Sequence, residues 1–312
     1  MTDAEATPRE RGPMDGAYWT FNGGRVELVG SLRRLGNKAA SVLTIGPGGP
    51  KHRRMHAHFV LAHPEPQSFN ANLVREGASS LRDAGWTVTI SDLYAMGFDP
   101  CERPEHYRRR LDPARFDAQA EQRHASETRG LPNVVTDELA LMDRADLLVL
   151  QYPMWWHLPP AMMKGWFDRV LAYGDAYASR RRFELGRFVG KRAMLSITVG
   201  TSRATYEYDG RSGDIDLMLW PVNFSLAYVG YEVLDPFIAY GVEAGLRYSD
   251  AAAVETRLRG IVSDFRAELQ RIAERPTIPF NRMAEWGADG RIRPEAPVHS
   301  AFIRRKKRLE LE

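Results

Sequence analysis

The sequence predicts an α/β protein: one doubly wound, five-stranded parallel sheet with helices on both faces. Two observations carry this. Short apolar runs rich in β-branched residues alternate with longer segments whose apolar residues recur at three- and four-residue steps. The strand runs are also apolar almost throughout, as expected of strands covered on both faces rather than one.

Taken in order, His58 to Ala62 reads as the first strand. Ser68 to Ala84 is an amphipathic helix with Ser68 placed to cap it, Leu73 and Leu81 facing the core and Gly85 ending it. Trp86 to Ser91 is the second strand. Residues 94–132 read as a long polar loop punctuated by Pro100, Pro104 and Pro113, and loops of that length are usually functional. Val134 to Asp143 is a helix, Ala145 to Tyr152 the third strand and Pro160 to Tyr173 a helix. Arg192 to Thr198 is the fourth strand, Asp214 to Val229 a helix and Tyr231 to Tyr240 the fifth strand. Asp250 to Glu274 closes the series, with Val254, Leu258, Ile261, Phe265, Leu269 and Ile272 on one face. Right-handed crossovers then favour the flavodoxin-like strand order 2-1-3-4-5. No G-x-G-x-x-G follows the first strand, which counts against a Rossmann dinucleotide fold.

This pattern occupies residues 55–280, the expected catalytic domain. Residues 1–54 are an extension: Met1 to Met14 is polar and expected to be disordered, Tyr18 to Leu43 has apolar content for a hairpin or docked arm, and Gly46 to Pro50 is a linker signal. Residues 281–312 form a tail with a basic run, Arg304 to Arg308. The net charge of +3 comes without a nucleic-acid-binding module, so no nucleic-acid partner is expected. No apolar run is long enough to span a bilayer, and the N-terminus lacks the apolar core of a secretory signal. One cysteine, Cys101, excludes an internal disulfide and suits a reducing compartment, so the expected location is the cytoplasm. His52, His56 and His58 lie close together but lack the companions of a zinc site, and no metal is expected.

The chemistry concentrates at three strand ends. Gln151 to Arg169 places Trp155 and Trp156 between Pro153 and Pro159, where a strand hands over to a helix. Ligands bind at such ends in open α/β sheets, and an exposed indole pair there suits a flat ligand such as a flavin isoalloxazine; core or interface packing is the alternative. His63 to Asn70 runs into a helix N-terminus, with Ser68 and Asn70 as hydrogen-bond donors. That is a phosphate site or an ordinary capped turn. Thr198 to Asp214 offers small and hydroxyl residues, Gly200 for close backbone approach and Tyr206 as a phenol able to steady negative charge.

Together these stretches resemble the NAD(P)H:quinone oxidoreductases of the DT-diaphorase type. The resemblance is carried by Ala62-His63 with Ser68-Phe69-Asn70, Gly85-Trp86 with Ser91 to Met96, Gln151-Tyr152-Pro153 with Trp156, Lys164 to Val170, Leu195 to Thr198, and Leu219-Trp220-Pro221. It runs from about His58 to Phe280. It implies an FAD cofactor ahead of FMN, NADH or NADPH as reductant, ping-pong hydride transfer to a quinone or similar flat electrophile, and a homodimer with each site at the subunit interface.

The resemblance assigns His63, Phe69 and Asn70 to the pyrophosphate and ribityl region. It places Pro153, Met154, Trp155, Trp156 and His157 under the isoalloxazine, with the Trp156 amide facing N5. Thr198, Val199, Gly200 and Thr201 fall at the opposite ring edge. Tyr206 and Trp156 are the implied catalytic residues; Tyr177, Ser179, His157 and Ser212 border the acceptor. Leu111 to Gln119 resembles the segment that contacts the FAD adenosine, with Asp117 in place of a glutamine. Three further positions depart from the family. Ser212 stands where the family has the histidine partner of the tyrosine, with Arg211 beside it as the candidate to compensate. Ser179 replaces a pocket tyrosine, and His157 replaces an aromatic. Those departures leave open a nitro- or azo-aromatic reductase, or one acting on a biosynthetic intermediate. The extension leaves open a regulatory flavoprotein that docks a partner.

Overall fold

A computed structural model describes residues 53–243, 250–300 and 302–305, together with the backbone of two strands nearer the N-terminus. The expected disorder of Met1 to Met14, the linker at Gly46 to Pro50, His52 and the end of the basic tail lie outside the described residues.

The parallel sheet is built from β3 (His56–Leu61), β4 (Thr87–Asp92), β5 (Leu147–Pro153), β6 (Arg192–Thr198) and β7 (Glu232–Ala239). Their spatial order is β4-β3-β5-β6-β7, which is the expected 2-1-3-4-5. Beyond it, β1 (Tyr18–Asn22) and β2 (Arg25–Val29) form an antiparallel hairpin, and β1 pairs with β4 at Trp19 and Ile90. The apolar content of the extension therefore goes into a hairpin that covers an edge of the sheet and extends it to seven strands, which addresses the liability of an open edge.

Both faces are covered, as the continuous apolar strands require. The helices α1 (Phe69–Asp83) and α6 (Ala251–Gln270) lie on one face with Phe59, Leu61 and Val149. They approach closely because Gly77 has no side chain: a Cβ there would stand 2.7 Å from the Phe265 ring. On the other face α3 (Asn133–Arg144), α4 (Ala161–Val170) and α5 (Ile215–Tyr228) pack on Val60, Leu148, Leu150 and Leu195.

The expectation of a structureless loop over 94–132 is corrected. A helix, α2 (Ala118–Glu127), occupies its second half, capped by the Asp117 side chain accepting from the Ala120 amide at 3.0 Å. Its mean composition is polar, and it buries Glu121, Gln122 and Ala125 rather than an apolar stripe, so periodicity does not reveal it. Glu121 is neutralised by Arg110 at 2.8 Å. The first half of the segment is fastened to α4, where Gly165 admits the Pro100 backbone; an added Cβ would meet the Pro100 carbonyl oxygen at 2.2 Å.

One buried polar network crosses the α3–α4 face. Glu138 is fully buried and accepts from the Ser91 hydroxyl at 2.6 Å and from the Trp166 indole N–H at 2.8 Å. His58, also fully buried, holds Nε2 at 3.8 Å from the same carboxylate and Nδ1 at 2.9 Å from the Thr89 hydroxyl. Glu138→Gln offers one acceptor where two donors converge. Urea unfolding is expected to show a loss of about 1–3 kcal/mol for the donor left unpaired. An unchanged midpoint would mean that the network contributes nothing to stability.

Candidate active site

Three loops meet at the carboxyl edge of β3, β5 and β6, and one buried amide joins them. Asn70, in the first turn of α1 and 3% exposed, accepts from the Gln151 side chain at 2.8 Å. Its own N–H donates to the Thr198 hydroxyl at 3.1 Å. Gln151 lies two residues before the end of β5 and Thr198 closes β6, and the Met154 amide donates to the Thr198 carbonyl at 2.9 Å. The Val199 amide in turn donates to the Ala239 carbonyl at 3.0 Å, tying the next strand end to the same floor.

Between β5 and α4 the chain makes a two-residue hairpin turn. Trp155 and Leu158 exchange both backbone hydrogen bonds at 3.0 Å, and Trp156 and His157 sit at φ +53° and +64°. Two positive φ values in succession mark a type I′ turn, a conformation that favours Asn-Gly. Holding a tryptophan and a histidine there costs on the order of 1–3 kcal/mol per residue. The central amides of Trp156 and His157 have no hydrogen-bond partner among the described residues, so they face outward as donors. Trp156 is 91% exposed and Trp155 43% exposed. A strained turn that exposes two indoles is a poor structural element and a good platform for a flat ring.

The loop after β3 flanks that platform. His63 packs edge-on against Trp155, with ring centroids 6.0 Å apart. Its Nδ1 accepts from the Glu65 amide at 3.0 Å, and burial pushes its pKa below the ordinary histidine value, against the opposing pull of Glu65 and Asp92. Ser68 caps α1 by accepting from the Ala71 amide at 3.2 Å, so the expected cap is present. The amides of Phe69 and Asn70 precede any intrahelical partner, and the helix N-terminus favours an anion there. Phe69 borders an apolar groove of about 630 Å³ completed by Val254, Leu258 and Val262 of α6. On the β6 side Thr198 and Val199 are buried, whereas Gly200 and Thr201 are exposed. A Cβ at Gly200 would meet only the Val242 carbonyl oxygen, at 3.8 Å, so this backbone is open to a ligand.

The structure thus brings His63, Asn70, Trp155, Met154 and Thr198 into one cleft. Tyr206 is half-buried beside Tyr240, ring centroids 6.3 Å apart, in a neighbouring hollow that also contains Arg203, Asp214 and Asp235. The Ser212 amide donates to the Thr205 carbonyl at 3.0 Å, which places Ser212 next to Tyr206 along this loop. Tyr177 and Ser179 lie elsewhere. Tyr177 packs against Tyr173 and Tyr228, Ser179 exchanges a hydrogen bond with the Tyr173 hydroxyl at 3.0 Å, and Tyr177 lines a largely apolar groove of about 450 Å³ with Leu158, Phe167 and Phe224. Asp117, substituted relative to the family, has its side chain committed to capping α2. Sequence reasoning missed Gln151 as a junction residue, although a single amide at the end of an otherwise apolar strand was the available signal.

If the turn is strained as its φ values indicate, His157→Gly is expected to be at least as stable as the parent, while His157→Val loses about 1–2 kcal/mol relative to it. Paired denaturation midpoints measure this, and equal stability of the two variants would show a relaxed turn.

Comparison with known proteins gives the family and the fold. The profile of a family described as having a flavodoxin-like fold matches residues 55–261. NAD(P)H dehydrogenase (quinone) 1 of Cavia porcellus is 40% identical over 189 residues, 60% of this chain and 68% of that one. Human ribosyldihydronicotinamide dehydrogenase (quinone) is 36% identical over 230 residues, 73% of this chain and 95% of that one. Among solved structures, a Klebsiella pneumoniae protein assigned as a quinone reductase is 31% identical with a TM-score of 0.70, covering 79% of this chain and 97% of its own. An NAD(P)H:quinone oxidoreductase from Methanothermobacter marburgensis is 26% identical with a TM-score of 0.55, covering 71% and 98%. The chain belongs to the flavodoxin-like family and, within it, to the oxidoreductases of the NAD(P)H dehydrogenase (quinone) type.

Proposed function

We propose that the protein is an FAD-dependent NAD(P)H:quinone oxidoreductase acting as a homodimer. The observation that carries this reading is the outward-facing Trp156–His157 turn, set at the edge of a cleft whose floor is the Gln151–Asn70–Thr198 junction. Bound there, a flavin would supply two-electron hydride chemistry between NADH or NADPH and a quinone, in a ping-pong cycle whose products are NAD(P)+ and the hydroquinone.

The residues fit such a group. Trp155 and Trp156 would offer the platform, and the Trp156 amide, without a partner among the described residues, would donate to the flavin ring. The exposed backbone of Gly200 and Thr201, beside the buried Thr198 and Val199, would hold the ring's other edge, and the N-terminus of α1 with Ser68 and His63 would hold the phosphates. The apolar groove at Phe69 and Leu258 lies beside that helix end and suits an adenine, which favours FAD over FMN.

The departures from the family gain a physical meaning. Serine cannot carry the charge of an imidazolium, so Tyr206 steadies developing anion without a cationic partner at Ser212. Arg211 is exposed and takes part in none of the ion pairs among the described residues. Arg203, which shares the hollow with Tyr206 and pairs with Glu207 at 3.7 Å, brings positive charge to it. His157 and Ser179 make the acceptor pocket more polar. The apolar groove carrying Tyr177, with Leu158 61% exposed at its rim, is the surface that a second subunit covers, and that arrangement brings Tyr177 and Ser179 to the partner's acceptor site.

Initial rates with benzoquinones and naphthoquinones are expected to exceed those with nitro- and azo-aromatics, and double-reciprocal plots are expected to be parallel. Tyr206→Phe is expected to slow flavin reduction in stopped-flow traces on the order of 100-fold, the loss typical of one donor to a developing anion, while FAD affinity is retained. Negligible turnover of every quinone would contradict the assignment; reduction at parental speed would remove Tyr206 from the chemistry.

A further inference from the structure

A second cavity, of about 440 Å³, lies between the segment that follows β4 and the turn joining α2 to α3. It shares no lining residue with the cleft at Asn70. Arg108, Arg109 and Arg129 line it together with His106, Thr128 and Asn133, and none of its lining residues is a carboxylate. We propose that this cavity binds the phosphate of a phosphomonoester through Arg108, Arg109 and Arg129.

The charge balance is the main argument. Neighbouring arginines in the same segments are neutralised: Arg103 by Asp99 at 3.6 Å, Arg110 by Glu121 at 2.8 Å and Arg123 by Glu127 at 2.9 Å. Arg108, Arg109 and Arg129 have no ion-pair partner among the described residues. Three guanidinium groups around one hollow repel one another, and a multivalent anion relieves that repulsion. Guanidinium is also the group whose planar donor fork matches phosphate oxygens best. Asp99, which pairs with Nε2 of the lining residue His106 at 3.2 Å, is also engaged with Arg103.

The surrounding backbone adds to the same field. The twelve-residue helix α3 begins at this cavity, its N-cap is Pro132, which supplies no capping side chain, and its first turn contains no acidic residue. The Val135 amide donates to the Pro132 carbonyl at 3.0 Å, but the Asn133 and Val134 amides have no partner among the described residues, and the helix dipole meets no acidic residue in the first turn. Arg129 stands at φ +55°, at the end of α2, where glycine or asparagine is the residue expected. The volume exceeds what a bare phosphate needs and lies in the range of small-ligand sites, so the ligand is an ester with an organic body. This inference rests on the cavity and not on the oxidoreductase reading.

Titration calorimetry on the full chain at low ionic strength tests it, with inorganic phosphate and adenosine 2′,5′-bisphosphate as probes. Saturable binding at one equivalent is expected for both. The bisphosphate is expected to bind more tightly because its organic body fills the cavity; equal affinities would contradict a phosphomonoester ligand. In the variant combining Arg109→Gln with Arg129→Gly, whose glycine suits the positive φ and spares the fold, affinity is expected to fall at least tenfold. The single variant Arg108→Gln, at an exposed position, is expected to weaken binding in the same direction. Absence of saturable heat with either probe, or phosphate affinity unchanged in these variants, would overturn the proposal.

Discussion

The cleft depends on one buried side chain. Asn70, in the helix that starts beside the two central strands, bonds to both of them: Gln151 of β5 donates to it and it donates to Thr198 of β6. All three residues are almost wholly buried, where an unpaired amide would be costly. Its two amide hydrogen bonds are therefore made only when α1, β5 and β6 hold one relative placement, while the Gln151 Oε1 stays buried without a partner among the described residues. That placement also fixes the helix N-terminus, the β5 turn and the β6 loop around a single hollow. A junction of this kind specifies geometry more than it adds stability.

Stability is spent at the next level up. The Trp156–His157 turn adopts backbone angles that favour glycine, and it leaves a large indole in solvent. Neither feature helps the isolated chain fold. Both make sense where unpaired amides and an aromatic face must wait, already oriented, for a flat cofactor. The fold can bear this because β5 is fully buried along its length and the turn is closed by two hydrogen bonds between Trp155 and Leu158.

Much of this was legible in the sequence, and the boundaries of legibility are physical. The parallel strands and the helices α1, α3, α4, α5 and α6 followed from apolar periodicity, because those elements bury apolar faces against the sheet. The helix α2 escaped because its buried residues include Glu121 and Gln122, whose partners Arg110 and the Asp168 carbonyl are not sequence neighbours. The edge hairpin could be suspected from Trp19 and Phe21 but not placed, since docking on β4 is a tertiary choice. At the site, the Trp155–His157 segment was recognisable from its aromatics and prolines. Its φ values were not, because nothing in Trp-His announces a turn that usually takes Asn-Gly. The buried Glu138 network and the basic cavity were equally hidden, for they join residues from separate elements.

That the Asn70 junction organises flavin binding is tested most directly by a fluorescence titration of FAD into the apoprotein. The parent chain is expected to quench flavin emission at one equivalent. Asn70→Leu, similar in size but unable to bond Gln151 or Thr198, is expected to bind FAD at least about tenfold more weakly, a difference of about 1.4 kcal/mol, while its circular dichroism stays that of the parent. Equal affinity in the two proteins, or a parent chain that takes up neither FAD nor FMN, would contradict it.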